Sequence, residues 1–60
     1  MRMYNFRRLT STDESVGILY VNFPNVSYIE GTDEYTYIYF CDNSEPITVK
    51  ESVEEIIDLL

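Results

Sequence analysis

The stretch that decides the fold lies between residues 26 and 60, where three extended segments precede a helical one. They read Val26-Ser-Tyr-Ile-Glu30, Tyr35-Thr-Tyr-Ile-Tyr-Phe-Cys41, Pro46-Ile-Thr-Val-Lys50 and Ser52-Val-Glu-Glu-Ile-Ile-Asp-Leu-Leu60. Strands are predicted for the first three, because β-branched and aromatic residues dominate them and polar turn residues separate them. Alternation in the second strand predicts two faces, with Tyr35, Tyr37, Tyr39 and Cys41 on one and Thr36, Ile38 and Phe40 on the other.

The last segment carries the signals of a short amphipathic helix. Ser52 and Glu55 have the spacing of a capping box, in which each side chain binds the backbone amide of the other residue. Apolar residues recur at i, i+3, i+4 and i+7, namely Val53, Ile56, Ile57 and Leu60. Because so short a helix is unstable alone, it is predicted to pack on a sheet, against a face formed by Ile29, Ile38, Phe40, Ile47 and Val49.

Two further strands are predicted upstream, at residues 1–9 and 17–22, with a polar loop at residues 10–15 between them. Pro24 interrupts the second of these, since proline cannot donate to a strand ladder. The predicted fold class is α+β: one domain over residues 1–60, with a small mostly antiparallel sheet of four to five strands and one C-terminal helix packed on one face.

The size and composition of the chain limit how it is stabilised. Sixty residues bury only a thin core, and natural domains of this size often rely on disulfides, metals or oligomerisation. Cys41 is the single cysteine and histidine is absent, so an internal disulfide is impossible and a zinc site is not expected. No apolar run is long enough for a membrane span or a signal peptide. A cytoplasmic protein that self-associates or binds a protein partner is therefore expected.

The charge of the chain is negative and uneven. Four basic and eleven acidic residues give a net charge of −7, and three of the basic residues, Arg2, Arg7 and Arg8, lie within the first eight positions. An acidic surface repels phosphate backbones, so direct DNA binding is not expected. Such a surface suits a basic partner or mimicry of nucleic acid, and a merely solvated acidic face is the plainer alternative. The three arginines are the candidate anion-binding residues.

Residues that carry catalysis are scarce in this sequence. Without histidine the commonest proton shuttle is missing, and Cys41 has no evident basic neighbour to activate it. The two glycines lie too far apart for a phosphate-binding loop, and the turn at residues 42–45 lacks the glycine and distal glutamate of a calcium loop. We therefore predict no enzyme activity, no cofactor and no catalytic, cofactor-binding or metal-binding residue. A small ligand is an alternative without a supporting motif.

The tyrosines form the one cluster with functional character. Tyrosine is enriched in interface cores because it combines a large apolar area with a polar tip. Base stacking on such a row would need basic neighbours, and here the neighbours are acidic. Two alternatives stay open: the rings are a second packed face of a small sheet, or they form a platform for a planar ligand. The predicted interface residues are Tyr20, Tyr28, Tyr35, Tyr37 and Tyr39.

The same region resembles the first half of LytTR-type DNA-binding domains, where a Tyr-Ile-Glu strand, an aromatic-Thr-x-Ile strand, a turn and a helix opening with Ser-Leu follow one another. Tyr28-Ile-Glu30, Tyr35-Thr-Tyr-Ile38 and Ser52-Val53 carry this resemblance. The stretch Val49-Lys-Glu-Ser-Val-Glu-Glu-Ile-Ile57 is also similar to the small FlbD-type proteins of flagellar gene clusters, which have a similar length. The resemblance implies fold and scale. It carries over no DNA-contacting residue, because the matching part does not include the basic, histidine-bearing segment with which LytTR domains enter DNA.

These observations predict a small acidic, non-enzymatic regulatory protein that acts through protein–protein contact or as a homo-oligomer. One alternative is an acidic, nucleic-acid-mimicking inhibitor of a nucleic-acid-binding protein. Another is a ligand-sequestering oligomer, with a pocket lined by tyrosines and by Arg2, Arg7 or Arg8.

Overall fold

A computed structural model describes residues 5–60, which form five strands, one turn of 3-10 helix and one α-helix. The first four residues of the strand predicted at residues 1–9, among them Arg2, lie outside the described residues. The elements in chain order are β1 (Phe6–Thr10), β2 (Ile18–Asn22), the 3-10 turn (Phe23–Asn25), β3 (Val26–Gly31), β4 (Thr36–Phe40), β5 (Ile47–Val49) and α1 (Val53–Leu59).

The α+β prediction is confirmed, with the difference that the strands form two small antiparallel sheets. One sheet pairs β1 with β2, and the other has the order β3-β4-β5. A single antiparallel bridge from Ser11 to Val49 joins them. Lys50 N also donates to Thr10 O at 2.8 Å. The end of β1 and the residues that follow it therefore run alongside β5. The predicted loop at residues 10–15 therefore begins later, because Thr10 and Ser11 are still strand-like and bonded.

The core lies between the two sheets and the helix. The prediction that the inner face of the β3–β4–β5 sheet packs under the helix is confirmed: Ile38 and Val49 are fully buried, and Ile29, Phe40 and Ile47 pack against them. Leu9 and Val21 of the first hairpin complete the core. Their place in it was not predicted. The buried apolar side chains are Leu9, Val21, Ile38, Val49 and Ile56.

The helix begins as predicted and buries less of its apolar stripe than predicted. Ser52 N donates to Glu55 Oε1 at 3.0 Å and Glu55 N donates to Ser52 Oγ at 3.1 Å, which is the capping box. Ile56 is fully buried, whereas Ile57 and Leu60 are 57% and 66% exposed. Successive residues lie about 100° apart around a helix, so once Ile56 points into the core, Ile57 points past the edge of the sheet.

Contacts between the two ends of the chain hold the helix in place. Arg7 Nε donates to Leu59 O at 2.7 Å, which places a cation at the carboxyl end of α1. The carboxylate of Glu51 accepts from Thr10 N and Thr10 Oγ1, both at 2.9 Å. Val53 lies over Gly31, where an added Cβ would be 2.9 Å from Val53 Cγ2. The glycine therefore allows the close approach of helix and strand.

Candidate protein-binding surface

The outer face of the β3–β4–β5 sheet, opposite the helix, carries a row of four aromatic rings that we call the tyrosine surface: Tyr28, Tyr35, Tyr37 and Tyr39. The rings of Tyr28 and Tyr39 are stacked, with centroids 4.3 Å apart and planes at 14°. Tyr37 stands 6.1 Å from Tyr39 and meets Tyr35 edge-on at 5.4 Å. The row is therefore continuous from one ring to the next.

Two features of the backbone assemble this row. Alternation along β4 turns Thr36 and Ile38 into the core, and Tyr37 and Tyr39 point the other way. In β3 the register shifts between Val26 and Tyr28, as a bulge does, so Val26 packs on the core while Tyr28 lies across from Tyr39 on the outer face. Cross-strand aromatic pairs of this kind stabilise an antiparallel pair of strands.

The electrostatics around the rings are neutral to negative. Tyr39 Oη donates to Glu30 Oε1 at 3.2 Å. Partial burial and the acceptor Glu30 raise the pKa of Tyr39 above its ordinary value. The hydrogen bond with Tyr37 raises the pKa of Tyr35, and the nearby charge of Glu34 adds to the effect. Both shifts favour the protonated phenol of Tyr35 and Tyr39, and a phenol combines apolar area with a hydrogen-bonding group.

Beside the tyrosine surface lies an apolar cleft of about 370 Å³. Tyr28 belongs to both, since its ring stacks on Tyr39 and also lines the cleft; it is 57% exposed, whereas the other three rings are half-buried. The cleft follows β3, which is one of the two edge strands of its sheet. Its lining residues are Phe23, Val26, Tyr28, Ile29, Ile57 and Leu60.

The structure does not bring all predicted site residues together. Tyr20 is 61% exposed, but it lies on β2 across from Arg8, and among residues 5–60 no ring pair includes it. Arg7 points to the opposite side of its hairpin and donates to Leu59 O and Phe6 O. Arg2 precedes the described residues. The candidate anion site at the arginines therefore stays a prediction, with Arg7 already engaged at the helix end.

Apart from Tyr28, the cleft residues were not predicted as part of a site. Their signal in the sequence is the number of apolar residues in a short helical segment, which are Val53, Ile56, Ile57, Leu59 and Leu60. Of these, Ile57 and Leu60 form one wall of the cleft. A sequence reading that weighs helix length against stripe width would find them.

A second cleft of about 370 Å³ lies between the β3–β4 turn and the start of the helix, lined among others by Asp33, Glu34 and Lys50. Residues 5–60 contain no group of three or more Cys, Asp or Glu side chains placed to hold a metal ion. Cys41 is a free, exposed thiol just after β4. Within the same residues, no helix is both long and apolar enough to cross a bilayer.

Comparison with protein-family models, with curated proteins and with solved structures found no match for this chain. The resemblance to LytTR-type and FlbD-type proteins therefore stays a prediction from the sequence.

Proposed function

We propose that this chain is a small acidic, non-enzymatic binding protein of the cytoplasm that regulates by contact with a protein partner or with itself. The observation that carries the proposal is the tyrosine surface, a continuous row of rings on a sheet face that carries none of the core. Its most exposed ring, Tyr28, leads directly into the apolar cleft.

The tyrosine surface suits binding because of its large area and its limited rotational freedom. A tyrosine buries a large apolar area on binding and loses few rotamers, and its hydroxyl finds a partner at the rim of an interface. Here the rings are already ordered against each other, so binding orders them little further. Exposed apolar surface next to them, at Ile57 and Leu60, supplies the remainder of an interface with an apolar centre.

The test compares two tyrosines of similar exposure on different sheets. Tyr28→Ser removes the ring shared by the tyrosine surface and the cleft, and Tyr20→Ser removes a ring from the other hairpin. Native mass spectrometry of the untagged protein and capture from an extract of the producing cells identify the assembly or the partner. Tyr28→Ser is expected to weaken the recovered complex about tenfold or more, and Tyr20→Ser to leave it unchanged. Equal effects of the two substitutions would overturn the proposal.

A second candidate function is supported by a separate observation. All acidic side chains except that of Glu51 are exposed, so the net charge of −7 faces solvent, as an inhibitor that mimics nucleic acid would require. Such a protein would bind a basic partner with an affinity that falls steeply as salt is added. Binding through the tyrosine surface and cleft depends far less on salt, so a salt titration of the recovered complex separates the two.

A further inference from the structure

The outer edge of β3 is open. In the order β3-β4-β5 this strand has a partner on one side only, and no strand among residues 5–60 pairs with its other side. Its six residues, Val26–Gly31, span about 20 Å at about 3.4 Å per residue. An edge of this length is a template for pairing with another strand.

The hairpin fixes which backbone groups point outward from that edge. Thr32 N donates to Tyr35 O at 2.8 Å, so Thr32 is in hydrogen-bonded register with Tyr35. In an antiparallel pair hydrogen-bonded and non-hydrogen-bonded positions alternate. Counting back along the register, Glu30 and Tyr28 bond to β4, whereas the N–H and C=O of Ile29 and Gly31 point away from the sheet.

From this geometry we infer that the partner of the edge and cleft is a second copy of the chain, bound by antiparallel pairing of β3 with β3 about a two-fold axis at Ile29. The inference rests on the proposed function, since it names the partner of that surface. With Ile29 facing its own copy, the N–H and C=O of both residues are satisfied in a hydrogen-bonded pair. The two sheets then form one continuous sheet.

The side chains on both faces of the edge fit this register. On the inner face Ile29 meets its copy, and the exposed Ile57 and Leu60 beside it are covered from the other side of the axis. On the outer face Tyr28 lies across from Glu30 of the copy. Within one chain Glu30 already accepts a tyrosine hydroxyl, that of Tyr39, so the pairing repeats a contact that the surface makes. A two-fold axis forms each of these contacts twice.

The area and the charge determine how strong the dimer is. An edge of about 20 Å, in a molecule whose shortest principal-axis extent is 21 Å, buries about 400 Å² per partner, which is half of the roughly 800 Å² of a standard interface. The expected dimer is therefore weak and concentration-dependent. Each copy carries a net charge of −7, so the copies repel and added salt strengthens their association. A basic partner would show the opposite sign.

The test is sedimentation equilibrium of the untagged full chain at low and at high salt. Protein concentrations from about 10 μM to about 1 mM cover the dissociation constants of weak association. The structure leads us to expect a monomer–dimer equilibrium that shifts toward dimer with salt. Ile57→Lys places a charge on the cleft wall and is expected to weaken the dimer about tenfold or more. Ile18→Lys, at an apolar residue of β2 with 48% exposure, is the matched control and should leave the dimer intact.

Amide hydrogen exchange then tests the register. Exchange at Ile29 is expected to slow as the protein concentration rises, and exchange in the outer edge of β2 to stay constant. A dimer in which Ile29 is not protected, or which survives Ile57→Lys and is lost in Ile18→Lys, would overturn the inference. A monomer at all concentrations and at both salt concentrations would also overturn it. The proposed function would still stand if Tyr28→Ser loses a captured protein partner and Tyr20→Ser keeps it. If neither variant loses a partner, the proposed function fails as well.

Discussion

The two faces of the β3–β4–β5 sheet are made by neighbouring residues of the same strands, yet they differ in what they contact. On the inner face Thr36 and Ile38 are 1% and 0% exposed and belong to the core. On the outer face Tyr37 and Tyr39 contact mainly other rings and keep part of their surface in water. The hydrophobic core therefore uses one face of this sheet, and the other face, rich in aromatic area, stays partly in contact with water.

The largest expected difference between the faces comes from a charge placed at adjacent positions of β4. Ile38→Asp buries a carboxylate without a partner, which costs several kcal/mol, comparable with the total stability of about 3–9 kcal/mol that a chain of this length has at 0.05–0.15 kcal/mol per residue. We expect it to unfold the protein. Tyr37→Asp, one residue earlier on the outer face, should lower the free energy of unfolding by only about 1 kcal/mol.

Circular dichroism with urea denaturation measures both variants. A cooperative transition of Ile38→Asp near the midpoint of the unsubstituted protein would show that the faces are assigned the wrong way round. Loss of structure in Tyr37→Asp alone would do the same.

A smaller effect is expected where the helix meets the inner face at Gly31. Gly31→Ala places a Cβ 2.9 Å from Val53 Cγ2, and because Val53 is β-branched and stiff, we expect a loss of about 1–3 kcal/mol from overpacking. Val53→Ala opens the space, so in the double variant the cost of Gly31→Ala should largely vanish. A double-mutant cycle by urea denaturation gives this coupling. Additive effects would contradict close packing at this point.

A further effect is expected from the contact of Arg7 with the carboxyl end of the helix. Arg7→Gln removes the charged donor at Leu59 O and should lower the free energy of unfolding by about 1 kcal/mol. Arg8→Gln is the matched control, because Arg8 is exposed on the other side of the hairpin, and should change it by less than about 0.5 kcal/mol. Thermal denaturation of both variants at matched ionic strength measures the difference. Equal losses would mean that the effect comes from net charge.

The smallest effect concerns the hydrogen bond from Tyr39 on the outer face to the carboxylate of Glu30. The pKa of Tyr39 is raised by partial burial and by Glu30, so this phenol favours the fold below its unfolded pKa of about 10, and the contribution is lost as the pH rises through the raised folded pKa. Spectrophotometric titration should show late-titrating phenol, which Tyr39→Phe reduces and Glu30→Gln shifts to lower pH. An unchanged titration in Glu30→Gln would remove Glu30 as a cause.

How much of this could be predicted from the sequence depends on how local the signal is. The faces of β4 and the capping box at Ser52 were predicted correctly, because alternation and a spacing of three residues decide them. The division into two sheets was not, since it depends on Ser11 meeting Val49. The bonds from Thr10 to Glu51 span 41 positions, and a pattern within a short window contains no information about them.

The candidate surface was predicted in part for the same reason. Tyr35, Tyr37 and Tyr39 share a face by alternation alone. Tyr28 was predicted with them, and it faces outward because its neighbour Ile29 packs on the core. The register shift after Val26, which lets Val26 face the core as well, has no signal in the residue types. Tyr20 was grouped with them, but it lies on the other sheet, because pairing with β1 keeps that strand away from β4.

The contact between Arg7 and Leu59, which are 52 positions apart, has a consequence for how the protein comes into being on the ribosome. The hairpins β1–β2 and β3–β4 are local and have all their residues early in synthesis. The pairing of β1 with β5 and the contact of Arg7 with the helix end need residues from both ends of the described chain. Closing such distant contacts carries a large loop entropy, which slows folding. We therefore expect the contacts that join β1 to β5 and to the helix to form last, after Leu59 has been synthesised.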